Sequence, residues 1–309
     1  MKISIIGAGN VGSTLAMRVV ESDIADVVLL DIVEGLPQGK ALDISDAASI
    51  IGHEKNIIGT TNYEDIKGSD IVVITAGFPR KPGMSREDLI NKNAPILKDA
   101  VTRIKTLCKN SIIIVVTNPL DVMCYHAYKV SGFDKSRIIG MAGTLDTARF
   151  RNLIAQELNV PRSGIETFVL GSHGDTMVPL ISKTFVNKRP LRQSMKTGKI
   201  DSLIERTRKR GAEIVSYLKT GSAYYSPSAG VFEILKSIKE DSKKILCVSA
   251  FLEGKYGVSD CFLGVPARIG KDGISEIVEL DLEKEELRAL KESAEKTRGT
   301  LSHLKYGKI

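Results

Sequence analysis

Tryptophan is absent from this chain of 309 residues, and all aromatic residues together make up 5% of it. A surface that stacks bases needs aromatic platforms, and no nucleic-acid recognition motif takes their place. Nucleic-acid partners are therefore not expected, despite a net charge of +7. Basic runs such as ERTRKRG alternate with acids or apolar helix positions, the pattern of solvated helix faces, and a basic field of this kind favours the approach of small anions. Long apolar runs are also missing. Segments such as SIIIVVTNPL fall short of the roughly 18 residues that cross a bilayer and end in turn residues, so no membrane partner is expected. The opening MKISIIGAGN lacks an apolar core of secretory length, which points to the cytoplasm. Cysteine is scarce: Cys108, Cys124, Cys247 and Cys261 are the only four, far apart, with no Cys-x-x-Cys and no histidine at ligand spacing. They read as buried or half-buried thiols in a reducing compartment, with no metal site among them.

What is present is an alternation of short β-rich runs with helical patterns. KISIIG, DVVLLD, NIIGTT, DIVVITA, SIIIVVT and RIIGM predict six strands, and TLAMRVVES, PQGKALDISDAAS and residues 89–108 predict helices between them. Strands joined by helical crossovers form right-handed βαβ units and a parallel sheet covered on both faces. After about residue 142 the pattern turns to longer helices, TARFRNLIAQEL and DSLIERTRKRGAEIVSYL, mixed with antiparallel strand signals near IETFVLGS, ILCVSAFLEG and DCFLGVPARIG. The expected fold is therefore α/β: a doubly wound Rossmann sheet over 1–142, then an α+β substrate domain over 143–309 that closes on a charged helix.

IIGAGNVG places Gly7, Gly9 and Gly12 in G-x-G-x-x-G order between the first strand and a helix. The first glycine permits the tight turn, the second lets backbone approach a pyrophosphate, and the third lets the helix pack close to the sheet. A glycine-rich turn by itself can be structural; Asp31 adds context. It ends the next strand, 31 − 12 = 19 positions after the last glycine, where a carboxylate bonds the adenosine ribose hydroxyls and repels a 2′-phosphate. NAD is expected rather than NADP, held by Gly7, Ala8, Gly9, Asn10, Val11, Gly12 and Asp31. Thr75, Ala76 and Gly77, with Val116, Thr117 and Asn118, end two later strands at the same carboxyl edge.

Of the four histidines, His53, His126, His173 and His303, His173 stands out. It lies in VLGSHGD, between glycines at a strand end, a context that exposes a side chain. Taken alone it would more often be a polar turn residue than a catalyst. Hydride transfer from a hydroxyl carbon requires a group to take the hydroxyl proton, and an imidazole suits that task. GTLDTARF adds Asp146 and Arg149 at i and i+3 on one helix face. Besides a plain ion pair, this spacing allows Asp146 to orient the imidazole and Arg149 to grip a carboxylate with two hydrogen bonds.

GAGNVG, LLDIVEGLPQGKALD, GFPRKPGMSREDL, VTNPLDVM, GTLDTARF, GSHGDTMVPL and KTGSAYYSP, spread over essentially the whole length, resemble the lactate/malate dehydrogenase family, in its lactate-dehydrogenase-like malate branch. The resemblance implies His173 as acid/base, Asp146 as its partner and Arg149 as the clamp on the substrate's C1 carboxylate. It also implies that the loop GFPRKPGMSRED, 77–88, closes over bound substrate and brings Arg86 to the developing oxyanion. Asn118 is implied at the substrate oxygen, Asn93 near the cofactor and Ser222 in the pocket. Family members form dimers and tetramers, and the branch favours a homotetramer here.

Arg80 lies 86 − 80 = 6 positions before Arg86, where lactate-specific relatives carry a neutral glutamine. A second arginine there can pair the C4 carboxylate of malate or oxaloacetate, whereas pyruvate would leave it unpaired. The sequence thus predicts an NAD-dependent malate dehydrogenase. The rival readings are a lactate dehydrogenase on the same scaffold, against which Arg80 argues, and a noncatalytic NAD sensor, which needs neither His173 nor its partners.

Overall fold

In a computed structural model, described over residues 1–79 and 84–304, the six predicted strands all form. The first half runs β1 (Lys2–Ile6), α1 (Asn10–Glu21), β2 (Asp26–Leu30), α2 (Leu36–Ile51), β3 (Ile57–Thr60), β4 (Ile71–Ile74), α3 (Arg86–Leu107), β5 (Ile112–Val115), α4 (Leu120–Ser131) and β6 (Ile138–Gly140). Every residue of β4, IVVI, and of β5, IIIV, is buried. Continuous apolar runs of this kind belong to parallel strands covered on both faces. Their spatial order is β3-β2-β1-β4-β5-β6, so the direction of winding reverses between β1 and β4. That reversal opens the crevice at the carboxyl ends where ligands bind in such sheets.

The second half runs α5 (Gly143–Leu158), β7 (Ile165–Glu166), β8 (Val169–Leu170), β9 (Val178–Pro179), β10 (Phe185–Val186), β11 (Arg189–Pro190), α6 (Leu191–Ser194), α7 (Thr197–Leu218), α8 (Tyr225–Lys239), β12 (Lys244–Glu253), β13 (Ser259–Gly270), β14 (Gly273–Ile277) and α9 (Lys284–Leu301). The long antiparallel pair β12–β13, anticipated from ILCVSAFLEG and DCFLGVPARIG, does not form a separate sheet. It joins the edge of the first one, where Ser249 pairs with Gly140, to give nine strands in the order β14-β13-β12-β6-β5-β4-β1-β2-β3. The junction depends on a missing side chain: a Cβ on Gly140 would lie 2.6 Å from Ser249 Cβ and 2.5 Å from Cys124 Sγ.

The alternation of side chains along the strands divides the core. Ile3 and Ile5 of β1 pack with Leu15 and Val19 of α1 and with Val231 and Ile234 of α8, while Ile6 on the other face packs with Ile90 and Leu97 of α3 and Met123 of α4. A helix from the second half therefore covers one face of the first half's sheet, while two further clusters, around Leu263 and Leu290 and around Phe150 and Leu153, lie within the second half. Helices α4 and α8 are additions to the sequence expectation. The sequence of α4 follows Pro119 directly and reads as the tail of a strand-end turn, and Pro227 and Gly230 interrupt the helical pattern of α8. Pro227 falls in the first turn, where a missing N–H does no harm. All four cysteines are free and buried. Among the described residues no helix is long and apolar enough to cross a membrane, and no group of potential ligands could hold a metal ion.

Candidate active site

Two turns meet at the β1/β4 crevice. Gly7 holds φ +109°, and a Cβ there would come within 2.6 Å of Thr75 Oγ1 and Ala76 N; a Cβ on Gly12 would lie 1.9 Å from the Gly7 carbonyl oxygen. These two glycines let strand, helix and neighbouring turn touch. Gly9 differs, since nothing lies within 4 Å of where its Cβ would be, and Gly9 and Asn10 are exposed, with Val11 half-buried behind them. A glycine where a side chain would fit leaves the backbone open to a ligand that comes up against it, as the pyrophosphate of a dinucleotide does. Asp31 accepts the Ala8 N–H at 2.7 Å and the Val33 N–H at 3.1 Å. On the next turns Thr75 donates to the Gly7 carbonyl at 3.0 Å and Thr117 to the Ala76 carbonyl at 2.7 Å, with Val116 half-buried and Asn118 exposed beside them.

Asn93 is fully buried. Its carbonyl oxygen accepts from the Phe78 N–H at 2.8 Å, and its amide donates to the carbonyls of Phe78, at 3.2 Å, and Asn118, at 2.7 Å. It ties the root of the 77–88 loop, next to Gly77, to the end of β5. This is a use of Asn93 that the sequence did not suggest.

Farther along the same edge, the turn after β8 carries His173. Its Nδ1 lies 2.8 Å from Asp146 Oδ2, in the first turn of α5. The Asp146 side chain is 3% exposed and that of His173 22%. Burial is the largest influence on the imidazole and disfavours its charged form, but the charge of Asp146 and its hydrogen bond together outweigh burial. The His173 pKa is raised above the ordinary value. Arg149, one turn on, places Nη1 at 3.5 Å from Asp146 Oδ1. Burial lowers its pKa, Asp146 opposes the shift and Arg210 adds to it, yet an arginine stays charged in a protein. Among the described residues neither Asp146 Oδ1 nor Arg149 Nε has a hydrogen-bond partner. The guanidinium is thus held near by charge without being used up, and it remains able to take a two-pronged carboxylate.

A further carboxylate fixes the histidine turn. Buried Asp121 of α4 accepts the His173 backbone N–H at 3.0 Å and the Ser249 hydroxyl at 2.6 Å. Its pKa is raised by burial against the pull of those two bonds. Ser249 is the residue that carries the junction of β12 with β6, so this anchor spans both halves of the chain. A sign of it was available in LDVMCYHA, where an aspartate interrupts an apolar helix face. Arg86, the first residue of α3, also comes close, as its Nη2 lies 3.0 Å from the Cβ position of Gly174.

The family model for the lactate/malate dehydrogenase NAD binding domain matches residues 1–140, and that for the family's alpha/beta C-terminal domain matches residues 143–304. The chain belongs to the lactate/malate dehydrogenase family. A malate dehydrogenase of Pelodictyon phaeoclathratiforme is 51% identical over 95% of each chain. Among solved structures, the malate dehydrogenase of Salinibacter ruber has a TM-score of 0.94 at 43% identity, covering 98% of this chain and 97% of its own. The lactate dehydrogenase of Cryptosporidium parvum, complexed with lactic acid and NAD, has a TM-score of 0.94 at 42% identity, covering 97% and 96%. As a member of this family the chain is an NAD-dependent oxidoreductase. Its fold lies equally near malate and lactate enzymes, so the choice of substrate rests on side chains.

Of the residues that the family resemblance singles out, Arg80 lies outside the described residues. Ser222 is exposed in the turn between α7 and α8, and among the described residues no hydrogen bond brings it to the histidine cluster. The start of α3 adds a feature absent from the sequence reading. Arg86 is a cation in the first turn of a helix, against the positive end of the helix dipole. A capping box opposes this: the Ser85 hydroxyl accepts the Asp88 N–H at 3.0 Å, and Asp88 Oδ2 accepts the Ser85 N–H at 3.0 Å. A cap of this kind contributes about 1 kcal/mol, or roughly fivefold in a population. Ser85→Ala is expected to lower kcat by up to about fivefold with NADH affinity unchanged, and Ser85→Thr to restore it. Steady-state kinetics beside a fluorescence titration of NADH measures both.

Proposed function

We propose that the chain is an NAD-dependent malate dehydrogenase that interconverts (S)-malate and oxaloacetate. The observation that carries this reading is the grouping of His173, Asp146 and Arg149 on the carboxyl edge of the dinucleotide-binding sheet, taken with the malate dehydrogenases at about half identity. The proposed division of labour runs from 1–142, which hold NAD, to 143–309, which hold most of the substrate groups. NAD, when bound, supplies the acceptor for the hydrogen on malate C2. Arg149 pairs the C1 carboxylate, Asn118 bonds the substrate oxygen, and Ser222 lines the pocket. With Nδ1 committed to Asp146, His173 takes the hydroxyl proton at Nε2 during oxidation and returns it during reduction. Asp146 stabilises the imidazolium between these steps. Arg86 donates to the oxygen on which charge develops.

Arg80 is proposed to select the four-carbon diacid by pairing its C4 carboxylate. A charge left unpaired in a closed site costs on the order of 3–5 kcal/mol, which is roughly a hundredfold or more in discrimination. Arg80→Gln is therefore expected to erase most of the preference for oxaloacetate over pyruvate. Undiminished oxaloacetate selectivity in the variant's kcat/KM values would rule the assignment out.

The protein is further proposed to work in the cytoplasm as a homotetramer, on the strength of the family resemblance. The experiment that tests the central reading is initial-rate NADH oxidation with oxaloacetate and with pyruvate, repeated with NADPH. Strong preference for oxaloacetate with NADH is expected. Preference for pyruvate would make the chain a lactate dehydrogenase, and turnover of neither would favour the NAD sensor.

A further inference from the structure

Ala8, in the glycine turn, is held from both sides. Its N–H goes to Asp31 at 2.7 Å, and its carbonyl accepts from Lys40 Nζ at 2.7 Å. Lys40 reaches out of the second turn of α2 and also lies 3.3 Å from Ser13 Oγ, in the first turn of α1. Ser13 in turn donates to the Gly9 carbonyl at 2.9 Å. The ammonium is thus half-buried over the turn that begins α1, and both of its acceptors are uncharged. Among the described residues it has no ion-pair partner. Asp31, the acid nearest in this chain of bonds, already serves two backbone N–H groups.

Helix α1 has no acidic residue in its first turn, so no side chain of that turn offsets the positive end of its dipole, and the Lys40 ammonium beside it, without an ion-pair partner among the described residues, adds to the positive field. Such an arrangement is unfavourable in the chain alone and becomes favourable when an anion arrives. Gly9, two bonds from the ammonium through Ser13, is the glycine with open space where a Cβ would sit.

We infer that Lys40 is a cofactor-binding residue: its ammonium attracts the pyrophosphate of the dinucleotide and fixes, through Ala8 and Ser13, the turn that receives it. The inference rests on the reading of the glycine turn as the NAD site. It differs from a purely structural role for Lys40, in which the side chain only props the turn and its charge is immaterial.

Lys40→Gln separates the two roles, because the amide keeps a hydrogen-bond donor for the Ala8 carbonyl and lacks the charge. Lys40→Arg serves as the second variant, keeping charge and donor. Binding of NADH, ADP-ribose and adenosine is measured at low and high salt, by NADH fluorescence and by displacement. In Lys40→Gln, NADH and ADP-ribose are expected to bind roughly tenfold more weakly at low salt. The deficit should shrink as salt screens the intact protein's advantage, adenosine should bind unchanged, and Lys40→Arg should recover most of the loss. Equal weakening of adenosine and ADP-ribose, or a deficit indifferent to salt, would overturn the proposal in favour of the prop. Unchanged NADH affinity in Lys40→Gln would overturn it outright. Failure of the unsubstituted chain to bind NADH would instead remove the NAD site on which the inference stands.

Discussion

Asp146→Asn is expected to lower kcat by on the order of a thousandfold, with NADH affinity intact. The amide keeps the shape of the carboxylate but offers Nδ1 of His173 no negative charge, and its NH2 group can favour the wrong tautomer of the ring. The pH profile distinguishes this account from general damage. In the intact protein the carboxylate holds the imidazole above its ordinary pKa against the effect of burial. Oxaloacetate reduction, which needs the protonated ring, should therefore persist to a pH above about 6.5 and then fall. Malate oxidation needs the neutral ring and should rise through the same transition. In Asp146→Asn burial acts without its main opponent, so the transition should move below the ordinary value. A transition that stays in place in the variant's kcat/KM profile would mean that Asp146 does not set the charge of His173.

Arg149→Met should be nearly as damaging, through a different parameter. The substrate's C1 carboxylate would enter a largely dry site without a partner, at a cost of roughly 3–5 kcal/mol, or about a hundredfold to a thousandfold or more in kcat/KM. Arg149→Lys keeps the charge but not the planar fork, and should recover only part of the loss. A second signature follows from position. Arg149 lowers the pKa of His173, so removing its charge should raise the transition in the pH profile, the opposite of the shift expected for Asp146→Asn. A profile unchanged in Arg149→Met would place the guanidinium too far from the imidazole to act on it.

Among the first six strands β4 and β5 are the plainest in the sequence, because a strand covered on both faces must be apolar at every position, as IVVI and IIIV are; edge strand β3, with Ile58 exposed, is legible from its β-branched run alone. Asp146 and Arg149 are legible as neighbours because a helix places i and i+3 together whatever surrounds it. The nearness of His173, 173 − 146 = 27 positions on, is a tertiary fact, and only the family resemblance carries it. The anchoring of the His173 turn by Asp121, and of Asp121 by Ser249, is less legible still. A serine among apolar residues of a long strand carries no mark of the carboxylate it meets 249 − 121 = 128 positions away. Lys40 escapes notice for a related reason, since one lysine on an amphipathic helix looks like solvated surface until α2 is laid beside α1. In α8 the local signal points the wrong way, since Gly230 lies inside the helix and weakens it, and burial against the shared sheet overrides that cost. In α4 Pro119 and Gly132 flank the helix and mark its start and end, so what hides it is only that it follows a strand-end turn directly.

The seam between Ser249 and Gly140 also bears on how the chain comes to be folded. During synthesis the six parallel strands are complete about a hundred residues before β12 is made, and until then β6 is a bare edge. An unpaired apolar edge invites pairing with another chain. The first half alone should therefore be prone to aggregate, and the late hairpin acts as its stopper.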